Sequence, residues 1–225
     1  MDLSKVLLAT AMWVKGCTDS FIMEEADIAR QTATDWISFC REVCACMLVN
    51  ESVTLGWQGK IVEIDESKFG KRKYNKGKRV EGAWVFGGVE RDSNKCFMAV
   101  VPDRTSETLI SVLKEWVLQG STVMSDCWKA YDCLSSEAFV HLAVNHSLTF
   151  KDPDTGAHTN SIEGTWGICK LYFRETRKVK DGTDGYLAEY IWRRCHRSGD
   201  KSITRQFFES IIKVHPLDKE IRKEQ

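Results

Sequence analysis

Three acidic residues stand where they could do chemistry together. Asp65 ends the apolar string Ile61-Val62-Glu63-Ile64, Asp126 follows Thr122-Val123-Met124-Ser125, and Glu163 sits just after Asn160-Ser161-Ile162. The first two strings read as strands and the third as the opening turn of a helix. If the two strands are neighbours, their ends bring both aspartates to one edge of a sheet, and a helix packed across that edge delivers Glu163. Three convergent carboxylates supply the hard oxygen ligands that two magnesium or manganese ions require, with positions left open for water and phosphate oxygens. The chemistry this suits is two-metal phosphodiester hydrolysis and rejoining, in which the protein contributes mainly positioning and charge neutralisation.

Each carboxylate also has a plain structural reading. Strand alternation puts Glu63 and Asp65 on one face and Glu66 on the other, so the three cannot all be ligands. Asp126 could cap the helical piece that follows it. Asn160-Ser161-Ile162-Glu163 has the spacing of a capping box, in which Glu163 bonds back to the Asn160 amide. Helix geometry favours a site. Ile162, Trp166, Cys169 and Phe173 form one apolar stripe. Glu163 and Lys170 lie on its border, within about 20° of each other and roughly 10 Å apart along the axis. That separation suits a ligand at one end and a phosphate-contacting lysine at the other.

The elements that must position these residues follow from periodicity. Residues 61–66, 82–89 and 95–101 read as strands, the last two joined by the turn Arg91-Asp92-Ser93-Asn94. An amphipathic helix spans 105–118, a strand 122–125, a helical piece runs to Leu134, a fifth strand covers 138–144, and 160–174 is the last clear helix. Three meander strands, then helix, strand, helix, strand, helix is the order of an α/β, ribonuclease-H-like mixed sheet flanked by helices. Residues 1–58 read as a small helical domain in three segments. A break at Gln31-Thr32-Ala33-Thr34, with Thr32 or Thr34 as N-cap, resembles a helix-turn-helix, and a plain three-helix bundle is the alternative. The predicted organisation is thus 1–58 helical and helix-turn-helix-like, 60–195 ribonuclease-H-like, and 196–225 a charged C-terminal tail, periodic only around Phe207–Val214.

Lysine plus arginine (32) equals aspartate plus glutamate (32), so placement of charge matters more than its total. Residues 68–79 (KFGKRKYNKGKR) hold seven lysines or arginines in twelve positions and no acid. The run leaves directly from the strand of Asp65, so Lys68, Lys71, Arg72, Lys73, Lys76, Lys78 and Arg79 are candidate phosphate contacts, together with Lys170 and Arg174. A plain solvated loop is the alternative. His146, His158 and Asn160 precede Glu163 closely and are possible accessories, although satisfied structural histidines fit as well. Nine cysteines, an odd count, fall mostly in apolar segments. Cys40, Cys44 and Cys46 do not converge on a helix, so no structural zinc is expected. No apolar run approaches the roughly 20 residues of a membrane span. Nothing at the start reads as a signal peptide, which implies a protein that is not secreted: nuclear in a eukaryote, otherwise cytoplasmic.

At this point a resemblance enters. The strings VEIDESKFGKRKYNKGKR, SDCWKAYDCL and VNHSLTFKDPDTGAHTNSIEGTWGICK resemble the DDE domain of Merlin-type transposases and their bacterial ISXO-type insertion-sequence relatives, over roughly residues 60–195. That resemblance implies catalytic Asp65, Asp126, Glu163 and Lys170, and magnesium or manganese as cofactor. It further implies cut-and-paste transposition on the double-stranded DNA of terminal inverted repeats and of the target, by a homo-oligomer. Family members often begin with a zinc ribbon, which Cys40, Cys44 and Cys46 do not replace. A domesticated, non-transposing DNA-binding protein is therefore the alternative, and a nuclease on the same fold would share the site.

Overall fold

A computed structural model describes residues 1–50, 54–70, 82–145, 152–153, 156–176, 183–197 and 200–216, the side chains of 174–176 excepted. The chain divides into two compact units, Met1–Ser52 with His196–Gln225, and Val53–Cys195.

In the first unit, helix α1 (Leu3–Val14) starts at Asp2, whose side chain accepts from the Lys5 N–H at 3.0 Å. Helix α2 (Asp19–Glu25) starts at Thr18 in the same way. Helix α3 (Arg30–Asn50) is joined to α1 by the Trp36 indole, which donates to the Thr10 hydroxyl at 2.9 Å. The break expected at residues 31–34 is not there. Those residues are the first turn of α3, where the Thr34 hydroxyl donates to the Arg30 carbonyl and Gln31 to Asp35, so Thr32 and Thr34 are not caps. The chain turns earlier, at Asp27, which adopts φ 47° and receives the Lys5 ammonium. Asparagine and aspartate tolerate that left-handed conformation best after glycine.

The expected C-terminal tail also differs. Residues Ile203–Val214 form an amphipathic helix (α7 in chain order, after the two helices α5 and α6 described below) packed on α1 and α3. Phe207 is fully buried with its ring 5.1 Å from that of Trp13. The periodicity around Phe207–Val214 is thus part of a longer helix whose apolar stripe packs on the N-terminal helices.

The second unit is built on β1 (Ile61–Phe69), β2 (Ala83–Glu90), β3 (Cys96–Val101), β4 (Thr122–Asp126) and β5 (Val140–Val144). They lie in the order β3-β2-β1-β4-β5, the first three antiparallel and β1, β4 and β5 mutually parallel. Helix α4 (Ser106–Trp116), capped by Thr105, packs Leu109, Ile110 and Leu113 onto Val62, Ile64, Phe86 and Phe97 on one face. Helix α5 (Asn160–Thr176) packs against β1 and β2, and its predicted stripe Ile162, Trp166, Cys169 and Phe173 is buried. A 3-10 helix (Lys129–Ser136) links β4 to β5. Helix α6 (Thr183–His196) goes beyond the expectation that α5 is the last clear helix. The result is a ribonuclease-H-like mixed sheet with helices on its faces. No helix among the described residues is long and apolar enough to cross a membrane.

Replacing Phe207 by Ala should cost the first unit about 3 kcal/mol or more, the range for a large buried aromatic, measured by urea denaturation. A change below roughly 1 kcal/mol would mean that α7 contributes little to that core.

Candidate active site

Strand register fixes where the aspartates go. Glu63 of β1 pairs in parallel with Met124 of β4, so two residues further on Asp65 stands level with Asp126. Pairing stops there while β1 runs on to Phe69, which leaves Asp65 and Glu66 over the carboxyl-terminal edge of the parallel strands. Ligands of open α/β sheets bind at that edge. A cleft of about 530 Å³ opens at it, lined by Asp65, Glu66, Asp126, Trp84, Arg104 and Trp128, among others.

Asp65 and Glu66 enter the cleft from opposite sides of β1. Asp65 faces α5, where Trp166 donates its indole N–H to Oδ2 at 3.0 Å. Trp166 can lie this close because the antiparallel partner of Asp65 on β2 is Gly87, where an added Cβ would meet the Trp166 ring at 2.7 Å. Burial, with the nearby charges of Asp126 and Glu163 adding to it, pushes the Asp65 carboxyl from its ordinary value of 3.8 up to about 6, against the Glu66 amide and the Trp166 indole. Glu66 faces the α4 side, next to Tyr131. Burial, Asp65 and Asp126 push it from 4.5 up to about 7, against Tyr131 and Arg104. Its Oε1 is buried and lacks a hydrogen bond of good geometry.

Asp126 is not the cap it could have been: the 3-10 helix starts at Lys129 with Trp128 at its N-cap position and no side-chain cap, and Asp126 Oδ1 accepts the Trp128 N–H at 3.1 Å in the turn before it. Glu163 is exposed on the first turn of α5, with Oε1 accepting the Thr159 hydroxyl at 2.9 Å. Lys170 is exposed too, its Nζ 5.6 Å from the centre of the Phe69 ring. Lys68 Nζ stands 5.4 Å from the Trp84 ring. Asn160 is the exposed first residue of α5. Lys71, Arg72, Lys73, Lys76, Lys78, Arg79 and His146, with the side chain of Arg174, lie outside the described residues.

Glu63 is the residue that ties this arrangement together. It is fully buried on the same face as Asp65. Its Oε2 accepts the backbone N–H groups of Ser161 (2.7 Å) and Ile162 (3.1 Å), and its Oε1 accepts the Ser161 hydroxyl (2.9 Å) and the Arg91 guanidinium (2.6 Å). A carboxylate on the open N–H groups of a helix start satisfies those donors and the positive end of the helix at once. His158 joins this anchor, with Nδ1 3.4 Å from Glu63 Oε1 and its carbonyl accepting from Arg91. Alternation in β1 pointed to Glu63 sharing the face of Asp65. Nothing in the sequence marked Trp166 as more than core, or Glu66 and Arg104 as cleft residues.

Among the described residues, no group of three or more His, Cys, Asp or Glu side chains is placed to hold one metal ion. The donor chemistry at the cleft still fits a hard divalent cation: three carboxylates beside the Cys127 thiol and the Asn145 amide, two of the carboxylates desolvated, and one buried oxygen without a well-made hydrogen bond. A family model described as the ISXO2-like transposase domain matches residues 57–194. The chain belongs to that family. An uncharacterized transposase-like protein of Haemophilus influenzae is 31% identical over 100 residues, 44% of this chain and 80% of that protein. Two solved structures are more distant. The HTLV-2 integrase catalytic core domain in complex with magnesium (trimeric form) has 18% identity and a TM-score of 0.40, over 60% of this ISXO2-like chain and 84% of its own. The simian T-cell lymphotropic virus intasome in complex with PP2A regulatory subunit B56 gamma has 14% identity and a TM-score of 0.43, over 86% and 70%.

Removing Glu63 as Ala leaves Arg91, whose side chain is 17% exposed, without its partner. The expected cost is about 3–5 kcal/mol by chemical denaturation, and a near-neutral result would dismiss Glu63 as the anchor of α5. A second expectation concerns pH. Asp65 and Glu66 bind protons more tightly folded than unfolded, so the stability this lends is complete below about pH 4 and lost as pH rises through about 6 and 7. In chelator, the thermal midpoint of the wild type should therefore fall across that window relative to an Asp65→Asn, Glu66→Gln double variant. Parallel curves would contradict it.

Proposed function

We propose that this chain carries the chemistry of cut-and-paste DNA transposition: metal-dependent phosphodiester hydrolysis and strand transfer at inverted-repeat ends. The observation that carries the reading is the Asp65–Asp126 pair at the carboxyl edge of the parallel strands, in a chain of the ISXO2-like transposase family. Burial, with the neighbouring charges of Asp126 and Glu163, makes Asp65 costly to ionise, and a divalent cation relieves that cost.

In this reading Asp65 and Asp126 are the inner ligands for magnesium or manganese, two ions in all, and Glu163 completes the set from α5. When bound, the metal supplies activation of the attacking oxygen and stabilisation of the leaving one. Trp166 holds the Asp65 carboxylate through its indole N–H on Oδ2. Lys170, resting on Phe69, contacts phosphate about two turns along α5 from Glu163. Lys68 and the basic run that follows it guide double-stranded DNA toward the edge, both element end and target. Joining two ends calls for at least two copies of the chain, so the active species is a homo-oligomer.

Asp65→Asn should abolish magnesium-dependent nicking of element-end DNA and leave DNA binding largely intact. Nicking at the wild-type rate by this variant would remove Asp65 from the catalytic set.

A further inference from the structure

Facing the carboxylates from the α4 side of the same cleft is a cation that the proposal above leaves unused. Arg104, in the connection from β3 to α4, stacks its guanidinium between two indoles: Cζ is 3.9 Å from the centre of the Trp84 ring and 4.8 Å from that of Trp128. Trp84 comes from β2 and Trp128 from the turn after Asp126, and all three line the cleft with Asp65 and Asp126. Arg104 itself is exposed. Among the described residues its N–H groups donate no hydrogen bond, and no carboxylate stands within ion-pair distance.

A guanidinium held against two indole rings keeps its in-plane N–H donors available at its edge. Its rotamer freedom has been given up on folding, so little more is lost when a ligand binds. A plainer role exists, covering the apolar flank of the sheet with the arginine stem and offsetting Glu66. That role needs neither two stacking partners nor an outward donor fork.

We infer that Arg104 is a phosphate-binding residue, whose fork takes the oxygens of a DNA phosphodiester flanking the one held at Asp65 and Asp126, with Trp84 and Trp128 fixing its plane. Planar bidentate recognition of phosphate is what distinguishes arginine from lysine. The inference rests on the proposed transposase function. It adds a contact on the side of the cleft opposite α5, so that the strand is gripped from both faces of the sheet.

The test uses the full chain and a short fluorescein-labelled DNA duplex, with binding followed by anisotropy between about 50 and 200 mM salt. Arg104→Gln should lower the slope of log affinity against log salt by about one, the loss of one phosphate contact, with an unchanged thermal midpoint. Arg104→Lys should restore the slope and still bind roughly tenfold more weakly than wild type, since charge returns without the fork. A Gln variant indistinguishable from wild type would overturn the assignment, as would a Lys variant of full affinity. A wild type that shows no salt-dependent binding would overturn the functional reading itself, and this inference with it.

Discussion

Glu63 is a charged side chain with no contact with solvent, and it sits two residues before Asp65 on the same face of the central strand. A carboxylate in that position must be paired and hydrogen-bonded, or the strand would not tolerate it. Its partners are Arg91 and the first N–H groups of α5, so the requirement that satisfies Glu63 also fixes where α5 begins. Glu163 follows Ser161 by two residues. The distance between the strand-borne and the helix-borne carboxylates is therefore set less by the packing of α5 as a whole than by one buried anchor beside the site. The stripe of Ile162, Trp166, Cys169 and Phe173 then keeps the rest of the helix flat on β1 and β2, and Gly87 lets Trp166 come down far enough to reach Asp65.

The second constraint is unequal strand length. β1 and β4 pair only through Glu63 and Met124, and β1 continues alone toward Phe69 with β2 as its partner. Past the end of that pairing, alternation no longer separates an inside from an outside on that edge. Asp65 and Glu66 point to opposite faces and nonetheless open on one cleft. This is why a rule that holds in mid-strand, opposite faces for neighbouring residues, does not exclude Glu66 from the site.

Much of this was legible in the sequence because it rests on local rules. Period-two strings gave the five strands, the Arg91–Asn94 turn gave the β2–β3 hairpin, with Asp92 at φ 58°, and the apolar stripe gave the buried face of α5. What escaped depends on contacts between distant segments. Glu63 and Ser161, or Arg104 and Trp128, are neighbours only once the sheet has assembled. The first unit shows the same limit. A glutamine-threonine cluster looked like a turn, but its side chains bond within α3, and the real turn lies at Asp27. In the C-terminal segment the periodicity around Phe207–Val214 was legible, and what needed the structure was the pair of helices, α1 and α3, that cover its apolar face.

Electrostatics explain why the cations near the site rest on aromatic rings. Asp65 and Glu66 are both pushed toward the protonated form, by burial first and by neighbouring acids next. An arginine or lysine in direct contact would reverse that shift and leave a closed ion pair, with nothing left over for a metal or a phosphate. Arg104 is kept between Trp84 and Trp128, and Lys170 lies on Phe69. A ring face offers each cation about 1 kcal/mol of attraction at little cost in hydration, enough to bias where the side chain rests without consuming its charge. The cations thus stay beside the carboxylates and not on them. An edge arranged in this way leaves both its cations and its acids open to ligands of opposite charge, which a site of mutually satisfied ion pairs could not do.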